Sequence, residues 1–445
     1  MAVDPSVAVI VFGLALALYL QGAYYGWAQL VVALVLFAGV LLLPRGLVFG
    51  REDVPVALAA GGLAGWAVVD GLVKHEPAAG VRYALLVAGL LVFAGCCREL
   101  RGGARTDLVR GLIIVCCLVA ALGWVGVVAH HPTWGYEGPG LWRASSTLTY
   151  PNATAALLAV ASLVCLAVRA RDLPTARWLG IAATALITGL AATLSRAGLL
   201  AFVVGAVVLV VGLGWRPVVR SALAPLVGSA VAMAGLLPSI TADTPTVATA
   251  GLAVAAALAG FGIGSLAGTS RLVVLAPVTG VGVMAIAAAA VGSRFSFDSP
   301  DRWDSIRAAW RLFTKDPLTG AGPGLTRLTI ERTQGGVGIY RYVHNEYVQV
   351  LTELGVIGGV LLVVFLFTVV RRLYRPQPSA YALGFGVLAG VVALVVHAGF
   401  DFVWHIPAVP LFVAALIGLA LPERQAGQDE DATDTPQKET ERSNI

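Results

Sequence analysis

The residues able to do chemistry in this chain crowd into short polar stretches between long apolar runs. The largest, residues 292–343, carries Arg294, Arg302, Arg307, Arg311, Lys315, Arg327, Arg332 and Arg341. Against these eight cations stand five acids: Asp298, Asp301, Asp304, Asp316 and Glu331. Guanidinium groups keep their charge, and their paired N–H donors match the oxygens of a phosphate. Either the cations belong to a solvated loop beside anionic lipid headgroups, or some of them hold an anionic substrate. His344-Asn345 follows and opens an apolar run whose polar side bears Gln349, Thr352 and Glu353. An imidazole accepts a proton near neutrality, which makes His344 a candidate base. A histidine at a helix start serves equally well as a cap or a surface residue.

Three further stretches add candidates. In TLSRAGLLA, Arg196 is wedged between two apolar runs, where it either snorkels to the interface or meets a ligand. In LTYPNATAALLA, Asn152 opens a span and is a ready N-cap, with a binding role also open. In HAGFDFVWHIP, His397 and Asp401 stand four apart and share a helix face. That pair either binds itself and water or belongs to a site. Glu353 falls roughly 12 Å into its span at 1.5 Å per residue. A carboxylate at that depth is costly unless paired or used, and it either pairs with one of the arginines or orients the polar face of its helix.

The elements that must position these groups are membrane helices. The 445 residues are 58% hydrophobic and 12% charged, which excludes an ordinary soluble domain. Apolar runs read as spans at about 6–21, 28–43, 54–73, 82–97, 108–129, 152–168, 178–194, 197–213, 220–237, 248–267, 271–291, 345–370, 380–398 and 406–421. This gives an all-α polytopic membrane protein of about fourteen helices. Residues 1–291 hold eleven spans, 292–344 a long extracytoplasmic loop, 345–421 three more spans, and 422–445 a disordered cytoplasmic tail. No positive n-region or cleavage site marks the first span, which is expected to stay as an anchor.

Arginines alternate in number along the short connections. Arg45, Arg51, Arg98, Arg101, Arg105, Arg110, Arg169, Arg171, Arg177, Arg216, Arg220, Arg271, Arg371, Arg372 and Arg375 fall on one side. Lys74, Arg82, Arg143 and Arg196 fall on the other. The positive-inside rule then puts both termini in the cytoplasm and the 292–343 loop outside. A basic pI reflects these connections and gives no argument for nucleic acid. The five cysteines, all in apolar runs and without metal-ligand spacing, read as small packing residues. Within the loop, Ser299-Pro300 starts a helix in which Trp303, Ile306, Trp310 and Phe313 recur at helical spacing. That pattern suits an amphipathic helix on a membrane surface.

Two runs then line up with a known pattern. R-x7-W-x6-P-L-T-G-x-G-x-G begins at Arg302, and H-N-E-Y-x-Q-x-L-x-E-L-G-x-x-G begins at His344. Together they resemble the signature loop of the O-antigen ligase/polymerase family, whose members are polytopic membrane glycosyltransferases. One departure is that a Trp often found four residues after the arginine is Ile306 here. The resemblance is strongest over residues 292–410 and weaker over 142–200. The Ser195-Arg196 pair is similar to the family's donor-site arginine, Arg302 to its second arginine, the Pro151-Asn152 entry to a comparable helix start, and His397 to Asp401 to its late H-x-x-F-D segment.

What the resemblance implies is glycan transfer from an undecaprenyl-diphosphate carrier to an acceptor hydroxyl on the extracytoplasmic face. Arg196 and Arg302 would grip the diphosphate, with Arg294 a substitute for the latter and Arg307 beside it. His344 would activate the acceptor, and Asn345, Glu353, Asn152 and Asp401 would line the substrate site. No cofactor and no metal is implied. The partners are the lipid-linked donor, a glycan, lipid or protein acceptor, and membrane lipids. A repeat-unit polymerase shares the same loop, and a lipid-linked glycan flippase shares the span number. Charged candidates gathered at one outer edge, not at the bilayer midplane, favour the enzyme over the transporter.

Overall fold

The computed structural model describes residues 4–42, 50–138, 140–171, 177–266, 300–331, 337–374 and 381–422. These form fourteen helices of more than ten residues and two small hairpins. In chain order the helices are α1 (Pro5–Tyr19), α2 (Gly26–Leu41), α3 (Val54–Val73), α4 (Pro77–Glu99) and α5 (Gly103–Val128). Then come α6 (Pro151–Arg171), α7 (Arg177–Ala192), α8 (Arg196–Leu213), α9 (Trp215–Thr241) and α10 (Val247–Gly264). The last four are α11 (Pro300–Phe313), α12 (Glu346–Leu373), α13 (Tyr381–Ala398) and α14 (Ala408–Ala420). Among the described residues nine helices are long and apolar enough to cross a membrane. Four more are apolar but shorter: α1, α2, α7 and α14. The expected spans coincide in position with these thirteen helices. The expected span at 271–291, and with it Arg294, lies outside the described residues, as does the 423–445 tail.

Helix α6 sits at the centre, buried along nearly its whole length. Its Ala, Thr, Val and Leu side chains let neighbours approach closely, the usual way helices associate where lipid offers no hydrophobic drive. Gly386 and Gly390 of α13 face Ala167 and Val160, and Gly198 of α8 faces Ala155. A Cβ at Gly390 would lie 2.8 Å from a Val160 methyl, so even alanine there would force α13 away from α6.

The end of the bundle opposite the candidate site is closed by arginines on helix carbonyls. Arg105 donates to Leu419 O and, at 2.6 Å, to Leu421 O, completing the C-terminus of α14. Arg169, only 2% exposed, donates to Leu266 O at 2.8 Å beyond α10. Asp53 pairs with Arg98 and, at 3.1 Å, with Arg372, joining α3, α4 and α12.

Among the described residues the all-α expectation holds but for two two-stranded hairpins in the connections. β1 (Gly135–Gly138) pairs antiparallel with β2 (Leu141–Ala144), and β3 (Leu328–Glu331) with β4 (Val337–Tyr340). Strands this short leave little alternation to read. Helix α11 packs Ala309, with parts of Ile306, Ala308 and Leu312, toward Leu328 and Val343, and Phe313 is buried as well. Trp303 and Trp310 remain 56% and 52% exposed, so the expected apolar stripe divides into a packed edge and an open tryptophan edge.

Helix α12 is broken at Gly355, where φ is 66° and ψ −168°. The polar loop repairs the break. Ala321 N and Gly322 N donate to Thr352 O and Glu353 O at 2.8 and 2.9 Å, and Trp66 Nε1 donates to Leu354 O at 3.0 Å. Val356 N in turn donates to Pro317 O at 2.9 Å. The P-L-T-G-A-G stretch is thus a splint that satisfies the backbone groups a broken membrane helix exposes. Lys74, just past α3, pairs with Asp316 at the head of the splint and holds that carboxyl below its ordinary range.

Candidate active site

His344 sits in the left-handed region, φ 55°, immediately before α12. A side chain held there needs support on both sides. On one side Gln349 Oε1 accepts from Val343 N at 2.9 Å, and Gln349 Nε2 donates to Glu353 Oε1 at 2.6 Å. On the other, Asn345 caps α12, its Oδ1 accepting from Tyr347 N and Val348 N at 3.0 Å each. Asn345 Nδ2 donates to Gly399 O at 2.8 Å and ties this cap to the connection after α13. Of the two readings the sequence left open, the structure gives Glu353 the second: among the described residues it meets Gln349 on the polar face of its own helix, not an arginine. Its effect is to brace the turn that presents His344.

Asp401, in the connection between α13 and α14, is the centre of the arrangement and is fully buried. Its Oδ1 lies 3.1 Å from His344 Nδ1 and accepts from Phe402 N at 2.9 Å. Its Oδ2 accepts from Tyr150 Oη at 2.6 Å and from Asn152 Nδ2, with Arg302 Nη2 at 3.6 Å. Burial alone would raise this carboxyl, but the His344 hydrogen bond, the Tyr150 hydroxyl and the Arg302 charge hold it at about 2. It stays ionised, and an acceptor-only carboxylate beside Nδ1 favours the tautomer with its proton on Nδ1. Nε2 is then the basic nitrogen. Burial first, then the Asp401 charge, push the Tyr150 hydroxyl well above its usual range, so it remains a donor.

From Asp401 the polar contacts continue to the start of α8. Asn152 Oδ1 accepts from Arg143 Nη2 at 3.1 Å, and Arg143 Nε donates to Thr193 O at 2.8 Å. Thr193 belongs to the tight turn that ends in Ser195, whose Oγ caps α8 by accepting from Gly198 N at 3.2 Å. Arg196 is the first residue of that helix and is exposed. Arg302, Asp401, His344, Asn345 and Asn152 are thus brought together directly, with the Arg196 turn attached through Arg143. Arg307 is not: it lies on the open side of α11, 3.4 Å from Asp304.

Sequence reasoning missed Arg143 as a site residue, although it stood out as one of four cations in the short connections on its side. It also missed that Phe402 would carry an aromatic cluster. Phe402 stacks on Tyr342 with centroids 4.6 Å apart and on Tyr150 at 5.1 Å, and His344 meets its edge at 5.0 Å. His405 lies 3.0 Å from the buried Glu346. Burial would lower that imidazole, but the Glu346 charge pushes it up to about 9. His397 is fully buried, and among the described residues neither ring nitrogen has a hydrogen-bond partner. Asp401 is therefore bound to His344, not to the histidine one turn before it.

What this arrangement offers is a basic imidazole nitrogen, oriented by a buried carboxylate that also meets an arginine able to bind phosphate. Among the described residues no three His, Cys, Asp or Glu side chains gather to hold a metal ion. No curated protein matches the chain. A family model does: the one described as O-antigen ligase matches residues 181–363. The match contains Arg196, Arg302 and His344, whereas Asn152 and Asp401 lie outside it and join the site only in three dimensions. Over residues 181–363 this polytopic membrane protein is thus similar to the O-antigen ligase family.

Proposed function

We propose that this protein transfers a glycan from an undecaprenyl-diphosphate carrier to an acceptor hydroxyl on the extracytoplasmic face of the membrane. The single observation that carries the reading is that one buried carboxylate, Asp401, touches both His344 and Arg302. Nε2 of His344 takes the proton of the acceptor hydroxyl as its oxygen forms the bond to the anomeric carbon. The bond from that carbon to the diphosphate oxygen breaks, and its electron pair leaves with the polyprenyl diphosphate. Arg302 and Arg196 meet the charge that develops there, and their forked donors suit diphosphate oxygens. Asp401 holds the imidazole in the useful tautomer and stabilises it once protonated, without itself taking the proton. Asn152 and Tyr150 keep Asp401 in place.

Orientation rests on the arginine asymmetry, which puts this end of the bundle outside the cytoplasm. The broken helix is a feature shared with transporters. The grouping of base, carboxylate and arginine at the helix ends supports transfer over transport.

The test uses purified protein in liposomes with a defined polyprenyl-diphosphate glycan and a panel of acceptors, scored for glycan transfer and for leaflet exchange. His344→Ala should retain donor binding and lose transfer by roughly 10²–10⁴-fold. Exchange without transfer in the wild type would turn the reading to a flippase. Full transfer by His344→Ala would remove the histidine from the mechanism.

A further inference from the structure

Beside the site, the turn between α1 and α2 holds a pocket that the reaction as written does not use. Tyr19, Leu20, Gln21, Tyr25 and Trp27 line an open hollow of about 210 Å³. This is below the usual range for drug-sized ligands and suits one small ring. Tyr19, Tyr25 and Trp27 are 66%, 49% and 60% exposed, so no other part of the protein, among the described residues, covers their rings. The backbone beneath is strained: Gln21, Gly22 and Ala23 take φ of 54°, 70° and 56° in succession, and only the middle one is glycine. Such strain persists where packing over-determines it, and it clusters at ligand sites. Here Ile406 supplies the packing, since a Cβ on Gly22 would lie 2.2 Å from its methyl.

The pocket is joined to His344 by a series of rings. His344 meets the edge of Phe402, Phe402 stacks on Tyr342 with an interplanar angle of 14°, and Tyr342 meets Tyr24 at 6.4 Å. The Tyr24 and Tyr342 hydroxyls are 3.3 Å apart, and Tyr24 packs edge-on against Tyr25 at 5.3 Å. This series leaves the site on the His344 side. The contacts toward the Arg196 turn run through other side chains, Asn152 and Arg143.

We propose that this pocket is a distal subsite for a sugar ring of the acceptor, which makes the acceptor a saccharide longer than one unit; the inference rests on the transfer reaction proposed above. A pyranose has an apolar C–H face and a rim of hydroxyls. Tyr25 and Trp27 offer flat apolar faces, and the Gln21 amide offers both a donor and an acceptor. In the transfer reaction proposed above the arginines take the donor diphosphate and His344 takes the acceptor hydroxyl, so the ring reached from His344 through the aromatic series is the acceptor's. The tyrosines along the series can pass hydroxyl contacts to the intervening sugars.

The experiment measures transfer by the full-length protein in liposomes to a series of defined oligosaccharides, from monosaccharide to hexasaccharide, at saturating donor. Calorimetric binding of the hexasaccharide without donor runs beside it. The wild type should show a KM that falls with acceptor length. Trp27→Ala and Tyr25→Ala should raise KM for the longer acceptors about tenfold, leave the monosaccharide KM and the donor KM in place, and weaken hexasaccharide binding to match. Trp27→Phe should restore most of the effect. A length preference that survives in both alanine variants overturns the subsite. So does a joint loss of thermal stability and donor KM, which marks a membrane anchor. Wild-type transfer only to lipid or protein hydroxyls also overturns it while leaving the transfer reaction standing. If no acceptor is used at all, the transfer reading itself falls, and the binding arm alone decides the pocket.

Discussion

Replacing Asp401 by asparagine tests the whole arrangement with a change of one atom. The carboxylate receives His344 Nδ1, Phe402 N, Tyr150 Oη, Asn152 Nδ2 and the Arg302 guanidinium on two oxygens. An amide keeps one acceptor oxygen and turns the other position into a donor. If the NH₂ faces His344 and Phe402 N, the imidazole must flip its tautomer and lose Nε2 as a base. If it faces the other three, Arg302 is left against a donor. Loss of the oriented base should lower kcat/KM by about 10³-fold, about 4 kcal/mol in the barrier. Stability should fall as well. The carboxyl moves from an ordinary 3.8 to about 2 on folding, worth roughly 2–3 kcal/mol at about 1.4 kcal/mol per unit. Because the folded value is depressed, this contribution is present above about pH 4 and is lost as pH falls through about 2. Thermal unfolding in detergent should therefore separate wild type from Asp401→Asn at neutral pH and bring them together in strong acid. Transfer assays on the same preparations supply the rate. Wild-type kcat/KM in a folded Asp401→Asn protein would refute the reasoning, and so would an unfolding difference that stays constant through pH 2.

Arg302→Ala and Arg196→Ala should each lower kcat/KM for donor by roughly 10²-fold without unfolding the protein, and lysine at either position should recover only part of it. If only Arg294→Ala is inactive, the diphosphate is held by a different loop arginine. Gly355→Ala should destabilise the protein by about 3 kcal/mol or more, since its Cβ would lie 2.2 Å from Leu318 O at a backbone angle that L-residues avoid; a thermal shift checks this. A cysteine at Gly335 should react with an impermeant maleimide in intact spheroplasts, and labelling only after lysis would invert the topology.

Much of the helical framework was legible because apolar runs in a membrane protein carry their own length signal. Four of the expected spans, α1, α2, α7 and α14, are as apolar as their neighbours but of 13 to 16 residues, so composition marks them as spans where helix length alone does not. Arg302 and His344 could be named because they open the two runs that carry the resemblance, and Asp401 because it closes the late H-x-x-F-D segment. Their pairing could not, since Asp401 reaches back across 57 residues to His344 and 251 to Tyr150. His397 was an equally good partner on helical spacing, and only the turn after α13 decides between them. The arginines at the opposite end held a second message. Arg105 and Arg169 were read as charges that set topology, yet they are also donors to the last carbonyls of α14 and α10. Glycine-rich P-L-T-G-A-G looked like a turn, because nothing local shows that its partner is a break in a helix thirty residues later.

That break sets the smallest part of this protein that can be exchanged. Because Ala321 and Gly322 fill the gap at Thr352 and Glu353, and Pro317 fills the one at Val356, loop and helix are cut to fit each other. A chimera that took the loop from a relative and ended at Asn345 would set a foreign splint against a native break. Spliced beyond Gly358 it would carry both halves of the joint. Trp66 and Lys74 would then remain as the contacts from α3 and its end that the new pair must also fit. Specificity of the loop is therefore inherited together with the first three turns of the helix behind it.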